Sequence, residues 1–211
     1  MRVHVLVEGP SEADWIPTWA ARAVRRHHVK MHPHQGKPML LEQLVAKLET
    51  FGSSEYSRRS DRVLLLVDRD NDRCVELDKR LRAMLARVSP APIAEMRVAV
   101  VETEAFFLGD PVAIRAAWPD ANLRLLKGTI PDEEWTSELF MRVIGVSRPN
   151  KRAWARAIAP HLGVSIGGPN ANRSPSFRAF ASALLDLCNE PLPTPKRAPP
   201  KRVGVKRGDR T

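Results

Sequence analysis

The sequence predicts an α/β fold in which a mainly parallel β-sheet is flanked by helices. Three short apolar runs indicate strands, at residues 3–7, 63–67 and 97–101. Between these runs apolar residues recur at helical spacing, and such alternation of strand and helix is typical of parallel sheets. With 211 residues, 43% of them hydrophobic, the chain is long enough for one good core with elaboration.

The first strand is predicted at residues 3–7, VHVLV, because valine-rich runs favour strands and a Gly-Pro pair soon turns the chain. Ser11 is a suitable N-cap for a helix that would run to about His28. We interpret this N-terminus as a strand rather than a signal peptide, because an acidic residue follows where a cleavage region would stand.

The middle of the chain repeats the strand-and-helix pattern. A helix is predicted over 39–50, and the run VLLLV at 63–67 is typical of a strand buried on both faces. A second helix then runs to about Val88, where a proline-rich segment ends it. Another strand follows at 97–101, RVAVV, and a further helix opens near Glu104.

The rest of the chain is predicted to be mostly helical. Helices are expected near 112–118, 132–145, 151–161 and 176–188, with a loop at 167–172. We therefore expect three parts: a core at 1–110, a helical part at 111–190 packed on that core, and a disordered tail at 191–211.

The charge distribution indicates a polyanionic partner. The net charge is +10 and the isoelectric point is about 10.3. Residues 191–211 contribute +6 through seven Lys or Arg against one Asp, together with five prolines. Such a basic balance attracts nucleic acid. Because aromatic residues make up only 6% of the chain, contacts to phosphates are expected to outweigh base stacking.

Cysteine count and hydropathy bear on the compartment. Cys74 and Cys188 are too few for a disulfide framework, which fits a reducing compartment, and both are expected to be ordinary core or half-buried residues. No apolar run approaches the roughly 18 residues of a membrane span, so a soluble, cytoplasmic protein is expected. The Walker phosphate-binding motif is also missing, so any ATP hydrolysis would need a partner.

Acidic residues follow each of the three predicted strands. The carboxyl ends of parallel strands lie at one edge of the sheet, where ligands bind. Carboxylates held close together are unstable unless a cation neutralises them, and Mg²⁺ prefers carboxylate, water and phosphate oxygens. The alternative for the Asp-x-Asp segment alone is a solvated turn that caps a helix. The acidic residues are Glu8, Asp68, Asp70, Asp72, Glu102 and Glu104.

Three segments resemble the Toprim family. VLVEGPSEADWI is similar to its first motif, a hydrophobic strand ending in Glu-Gly with a second Glu four residues on. VLLLVDRDND resembles the Toprim Asp-x-Asp motif. VVETEAFFLGDP resembles a segment of bacterial Toprim-like proteins that are themselves similar to the nuclease half of OLD-type defence ATPases. The resemblance spans about residues 3–188, with its strongest motifs before residue 111.

The resemblance implies a Mg²⁺- or Mn²⁺-dependent nuclease that acts in phage defence beside a partner ATPase of the OLD-like or AAA/ABC type. In that role Glu8 would be a metal ligand or a base for water, Asp68 and Asp70 would hold metal, and Glu12 and Glu104 would support them. The alternative is a non-catalytic nucleic-acid-binding or regulatory subunit, because active and silent Toprim domains share these residues.

Asp72 and four histidines are further candidate ligands. Asp72 extends the Asp-x-Asp segment and is included among the expected metal ligands. Within a cluster of four histidines, His32 and His34 could share a face of a strand and bind zinc or copper, but exposed histidines that contact phosphate are the favoured interpretation. The members of the cluster are His27, His28, His32 and His34.

Basic residues open one of the later helices. Lys151 and Arg152 could hold a phosphate near the metal or coat the surface, and the surface role is favoured. The tryptophans Trp15, Trp118 and Trp154 lie in predicted helices and are expected in the core.

Overall fold

The computed structural model describes residues 1–24, 28–168 and 171–189. Four strands within these residues form one sheet in the order β2-β1-β3-β4, and every neighbouring pair is parallel. Helices flank the sheet, so the predicted α/β class is confirmed. The predicted tail at 191–211 lies outside the described residues.

The elements follow one another with short connections. The strands are β1 (Arg2–Val7), β2 (His28–Pro33), β3 (Asp61–Asp68) and β4 (Ile93–Ala99). The helices between them are α1 (Pro10–Ala23), α2 (Lys37–Gly52), α3 (Glu55–Ser60) and α4 (Cys74–Leu85). After β4 come α5 (Glu104–Leu108), α6 (Pro111–Ala117), a 3-10 helix (Leu123–Leu126), α7 (Ser137–Ile144), α8 (Lys151–Ile158) and α9 (Pro175–Asn189). None of the helices in the described ranges is both long and apolar enough to cross a membrane.

The segment after β1 differs from the prediction at both ends. Gly9, not Ser11, is the N-cap of α1, and the helix ends at Ala23 instead of continuing to about His28. The chain then forms β2, which pairs with β1 along one side only. Because β2 is an edge strand of mixed polar and apolar residues, it lacks the apolar run that marks the interior strands.

The third predicted strand is shifted toward the N-terminus. β4 covers Ile93–Ala99, whereas the sequence pattern placed it at 97–101. Val101 cannot continue the strand because its φ is 65°, in the left-handed region that β-branched residues rarely adopt. The predicted helix at 132–145 is likewise shorter in the structure. α7 begins after its N-cap Thr136, whose side chain accepts a hydrogen bond from the backbone N–H of Leu139.

Alternate residues of the interior strands supply two separate cores. Val5 of β1 and Leu64 of β3 face α1 and α9, while Leu6 and Leu65 face α2 and α4. Helices therefore cover both faces of β1 and β3, as a fully buried parallel sheet requires.

The C-terminal helices extend the first of these cores. Trp15 of α1 packs edge-on against Phe106, with ring centroids 6.1 Å apart, and against Phe180 of α9 at 5.7 Å. Trp154 is also buried, as predicted, but Trp118 at the end of α6 is only half-buried. The cysteines follow the prediction too, since Cys188 is buried and Cys74 is half-buried.

The strand order creates a crevice between β1 and β3. From β1 the chain moves outward to β2 on one side, then crosses back to β3 and continues to β4 on the other side. In open parallel sheets a ligand crevice forms where the order reverses in this way, beyond the carboxyl ends of the strands. Glu8 follows β1 and Asp68 ends β3, so these two acidic residues flank the crevice.

Candidate functional site

Glu8 and Asp68 are directly joined at the crevice. The Glu8 carboxylate accepts a hydrogen bond of 2.8 Å from the backbone N–H of Asp68. Both residues line a cavity of about 340 Å³, together with Glu12 and Lys151. The sequence prediction that strand-end carboxylates share one pocket therefore holds for this pair.

The Glu12 carboxylate is held by three donors. It accepts hydrogen bonds from the Gly9 backbone N–H at 3.1 Å, from Ser11 Oγ at 2.8 Å and from Thr103 Oγ1 at 2.9 Å. The residue is 6% exposed. Glu12 therefore fixes the turn after β1 to the segment after β4, and it adds a negative charge to the cavity wall.

The Asp68 carboxyl group is buried among other carboxylates. Burial raises the pKa of its carboxyl group well above the ordinary value, and the negative charges of Glu12, Glu8 and Glu104 raise it further. Lys151 opposes this shift. In the described part of the chain no hydrogen-bond donor contacts the Asp68 carboxylate. Its oxygens are thus available to a ligand, and their negative charge is poorly compensated.

Glu8 is a second carboxyl group whose pKa is raised by burial. Burial raises the pKa of its carboxyl group to about 7, against the opposing effects of the Asp68 N–H and of Lys37. A carboxyl group with that pKa exchanges its proton near neutral pH. Such perturbed groups in a cleft are characteristic of functional sites.

Glu102 and Glu104 share the ammonium group of Lys151. Lys151 Nζ lies 2.8 Å from Glu102 and 3.0 Å from Glu104. Burial raises the pKa of Glu104 to about 7, although Lys151 opposes the shift, while the same lysine and the Ser137 backbone N–H leave the pKa of Glu102 below its ordinary value. The surface role favoured for Lys151 describes it only in part, because its side chain is 41% exposed but also lines the cavity.

Arg152, by contrast, lies on the surface as favoured. Its guanidinium group is about half exposed and pairs with Asp14 at 2.6 Å. Arg156, one turn further along α8, pairs with the other oxygen of the same carboxylate at 3.1 Å. The two arginines therefore share one carboxylate and leave one positive charge in excess on the exposed side of α8.

Asp70 and Asp72 do not line the Glu8–Asp68 cavity. Their side chains are 56% and 49% exposed and both pair with Lys37, at 2.7 and 3.0 Å. Asp70 instead borders an adjacent cavity of about 230 Å³, together with Glu102 and Glu138. The structure therefore brings Glu8, Glu12, Asp68 and Glu104 together and leaves the two later aspartates at the rim.

Sequence reasoning missed Lys37 and Thr103 as parts of this site. Lys37 opens α2 immediately after the turn that follows β2, and its backbone neighbour Gly36 donates a hydrogen bond of 2.8 Å to the Glu8 carbonyl. The available signal was the sequence Gly-Lys-Pro at a strand end. The sequence pattern predicts no strand at β2, so it gives this signal no structural context.

The histidines do not form the exposed cluster that was favoured. His34 is 8% exposed and its Nδ1 lies 2.8 Å from the Val7 carbonyl oxygen. His32 Nε2 lies 2.9 Å from Nδ1 of His4, a buried residue of β1. His27 lies outside the described residues, and the side chain of His28 is likewise not described.

The donor set around Asp68 fits a hard divalent cation. In the described ranges no three His, Cys, Asp or Glu side chains are already arranged around a common ligand position. Nevertheless, Glu8 and Asp68 offer carboxylate oxygens, and the electrostatic crowding that raises their pKa values is what a cation would relieve. The residues that could hold it are Glu8 and Asp68, with Glu12 beside them.

Comparisons with family models, with curated protein sequences and with solved structures give no match to this chain. The Toprim resemblance therefore stays a prediction from three sequence motifs. The function has to be argued from the residues of the site.

Proposed function

We propose that this chain is a divalent-metal-dependent phosphodiesterase that cleaves nucleic acid. The observation that carries the proposal is the pairing of Glu8 and Asp68 in one cavity at the crevice where the strand order reverses. Both carboxyl groups have raised pKa values. Two uncompensated carboxylates in a ligand crevice are best explained by a cationic ligand.

Mg²⁺ or Mn²⁺ is the expected cation, because the candidate ligands are all carboxylates and these ions prefer oxygen ligands. When bound, such an ion polarises a phosphodiester and lowers the pKa of a coordinated water molecule. Glu8 and Asp68 would hold it, and Glu12 would face it from α1. Glu8 can also accept a proton from water, because its pKa of about 7 matches neutral pH.

Lys151 would orient the substrate. Its ammonium group borders the cavity and carries a positive charge toward the position where a phosphate would lie. Glu102 and Glu104 hold the ammonium in place through contacts of 2.8 and 3.0 Å. A phosphate oxygen could be added to this arrangement without moving the lysine, so Lys151 supports binding rather than proton transfer.

Charge supports nucleic acid as the substrate class. The net charge of +10 favours a polyanion, and α8 exposes Arg152 and Arg156, which together carry one more positive charge than their shared partner Asp14 offsets. The Toprim resemblance adds a role in phage defence beside an ATPase partner. A cytoplasmic location fits that role and the two free cysteines.

The experiment is a cleavage assay on the full chain with labelled duplex DNA, single-stranded DNA and RNA, in Mg²⁺, Mn²⁺ or EDTA. We expect cleavage of at least one substrate in metal and none in EDTA. Asp68→Asn and Glu8→Gln should each lower the rate by roughly a hundredfold or more. The matched controls Asp120→Asn and Glu49→Gln change exposed carboxylates elsewhere and should retain the full rate.

One observation favours the second candidate, a non-catalytic nucleic-acid-binding subunit. Two lysines already pair with four of the carboxylates at this edge of the sheet: Lys37 pairs with Asp70 and Asp72, and Lys151 pairs with Glu102 and Glu104. Binding of nucleic acid without cleavage in any metal, with or without an added OLD-like ATPase, would support this candidate against the first.

A further inference from the structure

The ammonium group of Lys37 is surrounded by oxygen atoms. It lies 2.7 Å from Asp70 Oδ2, 3.0 Å from Asp72 Oδ2 and 3.2 Å from the Arg69 carbonyl oxygen. A lysine has three N–H donors, so these three acceptors satisfy it completely. The Lys37 side chain is only 12% exposed, although both aspartates are about half exposed.

The fold brings Lys37 to this position from a different strand. The turn after β2 is tied to the end of β1 by the hydrogen bond from Gly36 N–H to the Glu8 carbonyl. Gly36 has a φ of 93°, which suits glycine, and α2 begins at the next residue. Lys37 therefore leaves the first turn of α2 beside Glu8 and points at the segment that follows β3.

Lys37 remains positively charged in this setting. Burial lowers the pKa of its ammonium group, but the hydrogen bonds and charges of Asp70 and Asp72 outweigh burial, and the pKa is raised overall. The charge is also felt at the cavity, where it lowers the pKa of Glu8. A permanent positive charge thus stands next to the pair of carboxylates proposed to hold metal.

We propose that Lys37 takes the place of a second divalent cation between Asp70 and Asp72, so that the chain binds a single divalent cation at Glu8 and Asp68. This inference rests on the proposed function. Paired catalytic metals lie about 3.5–4 Å apart and need shared or adjacent carboxylates. Here the two adjacent carboxylates already share one ammonium group, which halves their combined negative charge, and an ion entering between them would be repelled by that group.

The contact distances agree with a lysine site rather than a metal site. Mg²⁺ demands oxygen ligands at about 2.0–2.1 Å in a near-octahedral shell. The oxygens around Lys37 Nζ lie at hydrogen-bonding distance instead, between 2.7 and 3.2 Å. Without the ammonium group, two carboxylates and one carbonyl oxygen would remain here, and these are ligand types that Mg²⁺ and Mn²⁺ take.

The test counts Mn²⁺ ions bound per chain by electron paramagnetic resonance of the free ion, in the wild-type chain and in variants. We expect one ion in the wild type and two in Lys37→Met, which keeps the length of the side chain but removes its charge. Lys79→Met removes the charge of an exposed lysine on α4 and should still bind one. Asp68→Asn should bind none, because Lys37 still fills the other position.

The outcomes separate this inference from the proposed function. Two ions in the wild type, or one ion in a folded Lys37→Met chain, would overturn the role of Lys37 and leave a metal site at Asp68 intact. No bound ion in the wild type would overturn the metal requirement itself, and with it both proposals. The wild-type count needs no variant, so the inference remains open to refutation even if Lys37→Met does not fold.

Discussion

Single carboxylates at the sheet edge differ sharply in how they are compensated. Glu12 accepts three hydrogen bonds, and Asp70 pairs with Lys37, whereas the Asp68 carboxylate accepts none from the described residues. Glu8 has one bond, from the Asp68 N–H. Burying a charge without a partner costs free energy. Glu8 and Asp68 are therefore the carboxylates that a bound cation would stabilise most.

The raised pKa of Glu8 predicts a pH-dependent stability in metal-free protein. With a folded pKa of about 7 against an ordinary value of 4.5, the folded chain binds a proton more tightly than the unfolded chain. The free energy of unfolding should therefore fall as pH rises from about 4.5 through about 7, by at most about 3 kcal/mol from this group.

Chemical denaturation in EDTA at several pH values between 5 and 8 measures this effect. Because Glu104 also has a pKa of about 7, Glu8→Gln should make the profile less steep without removing the slope, and it should be more stable than the wild type at pH 8. Glu49→Gln, at an exposed position on α2, should keep the wild-type profile. A Glu8→Gln chain that loses stability with pH as steeply as the wild type would show that Glu8 is not responsible.

At the residue scale the sequence predicts only part of the site. Glu8 and Asp68 are predictable because each directly follows a long apolar strand, and parallel strands end at one edge. The position of Asp70 is not, because its φ of 49° turns the chain away from the cavity. The position of Lys37 could not be predicted either, because it depends on the pairing of the edge strand β2 with β1.

At the scale of elements, the segment Leu-Gly-Asp-Pro connects α5 to α6 and anchors the C-terminal loops. Asp110 caps α6 by accepting a hydrogen bond from the Ala113 N–H at 2.9 Å, and its other oxygen accepts one from the Gly163 N–H at 2.7 Å. Gly109 accepts a hydrogen bond of 2.7 Å from the Arg173 N–H. This segment thus holds the loop before α9 against α5.

Gly109→Ala should destabilise the chain through this contact. A Cβ atom at Gly109 would lie 2.8 Å from the backbone nitrogen of Ser174 and would also clash with the Asn172 side chain. Such overpacking costs about 1–3 kcal/mol. Gly167→Ala is the matched control, because a Cβ atom there meets nothing within 4 Å. Equal melting temperatures for the two variants would refute the tight packing of this loop.

Elements differ in how far the sequence reveals them. β3 was predicted correctly because it is buried on both faces and reads as a continuous apolar run. β2 is missed and β4 is shifted in the prediction, since both are edge strands whose residues are only partly buried. Hydrophobic pattern reports burial, so it weakens where an element is half exposed.

At the scale of the whole molecule, the basic tail predicts how the chain meets nucleic acid. Residues 191–211 carry +6, and each phosphate neutralised changes the slope of log affinity against log salt by about −0.9 on duplex DNA. If about half of these charges engage, deletion after Glu190 should flatten the slope by about 2–4 units. Binding isotherms at several salt concentrations give the slopes, and identical slopes would exclude a nucleic-acid role for the tail.

The strand order is the feature of the whole molecule that sequence could not supply. Strand and helix alternation predicts a parallel sheet, but it does not say that β1 and β3 are neighbours. Because β1 and β3 are adjacent, Glu8 and Asp68 lie at one crevice although 60 residues separate them in the chain. The site is therefore a property of topology as much as of its motifs.

The central claim is that Glu8 and Asp68 hold a divalent cation, and the most direct measurement is an anomalous diffraction map of crystals grown with Mn²⁺. The account predicts one strong peak between these two carboxylates, beside Glu12, and none between Asp70 and Asp72, where Lys37 lies. Crystals of Asp68→Asn under the same conditions should lose the peak. A well-ordered cavity without a peak at saturating Mn²⁺, or a peak that persists in Asp68→Asn, would contradict the claim.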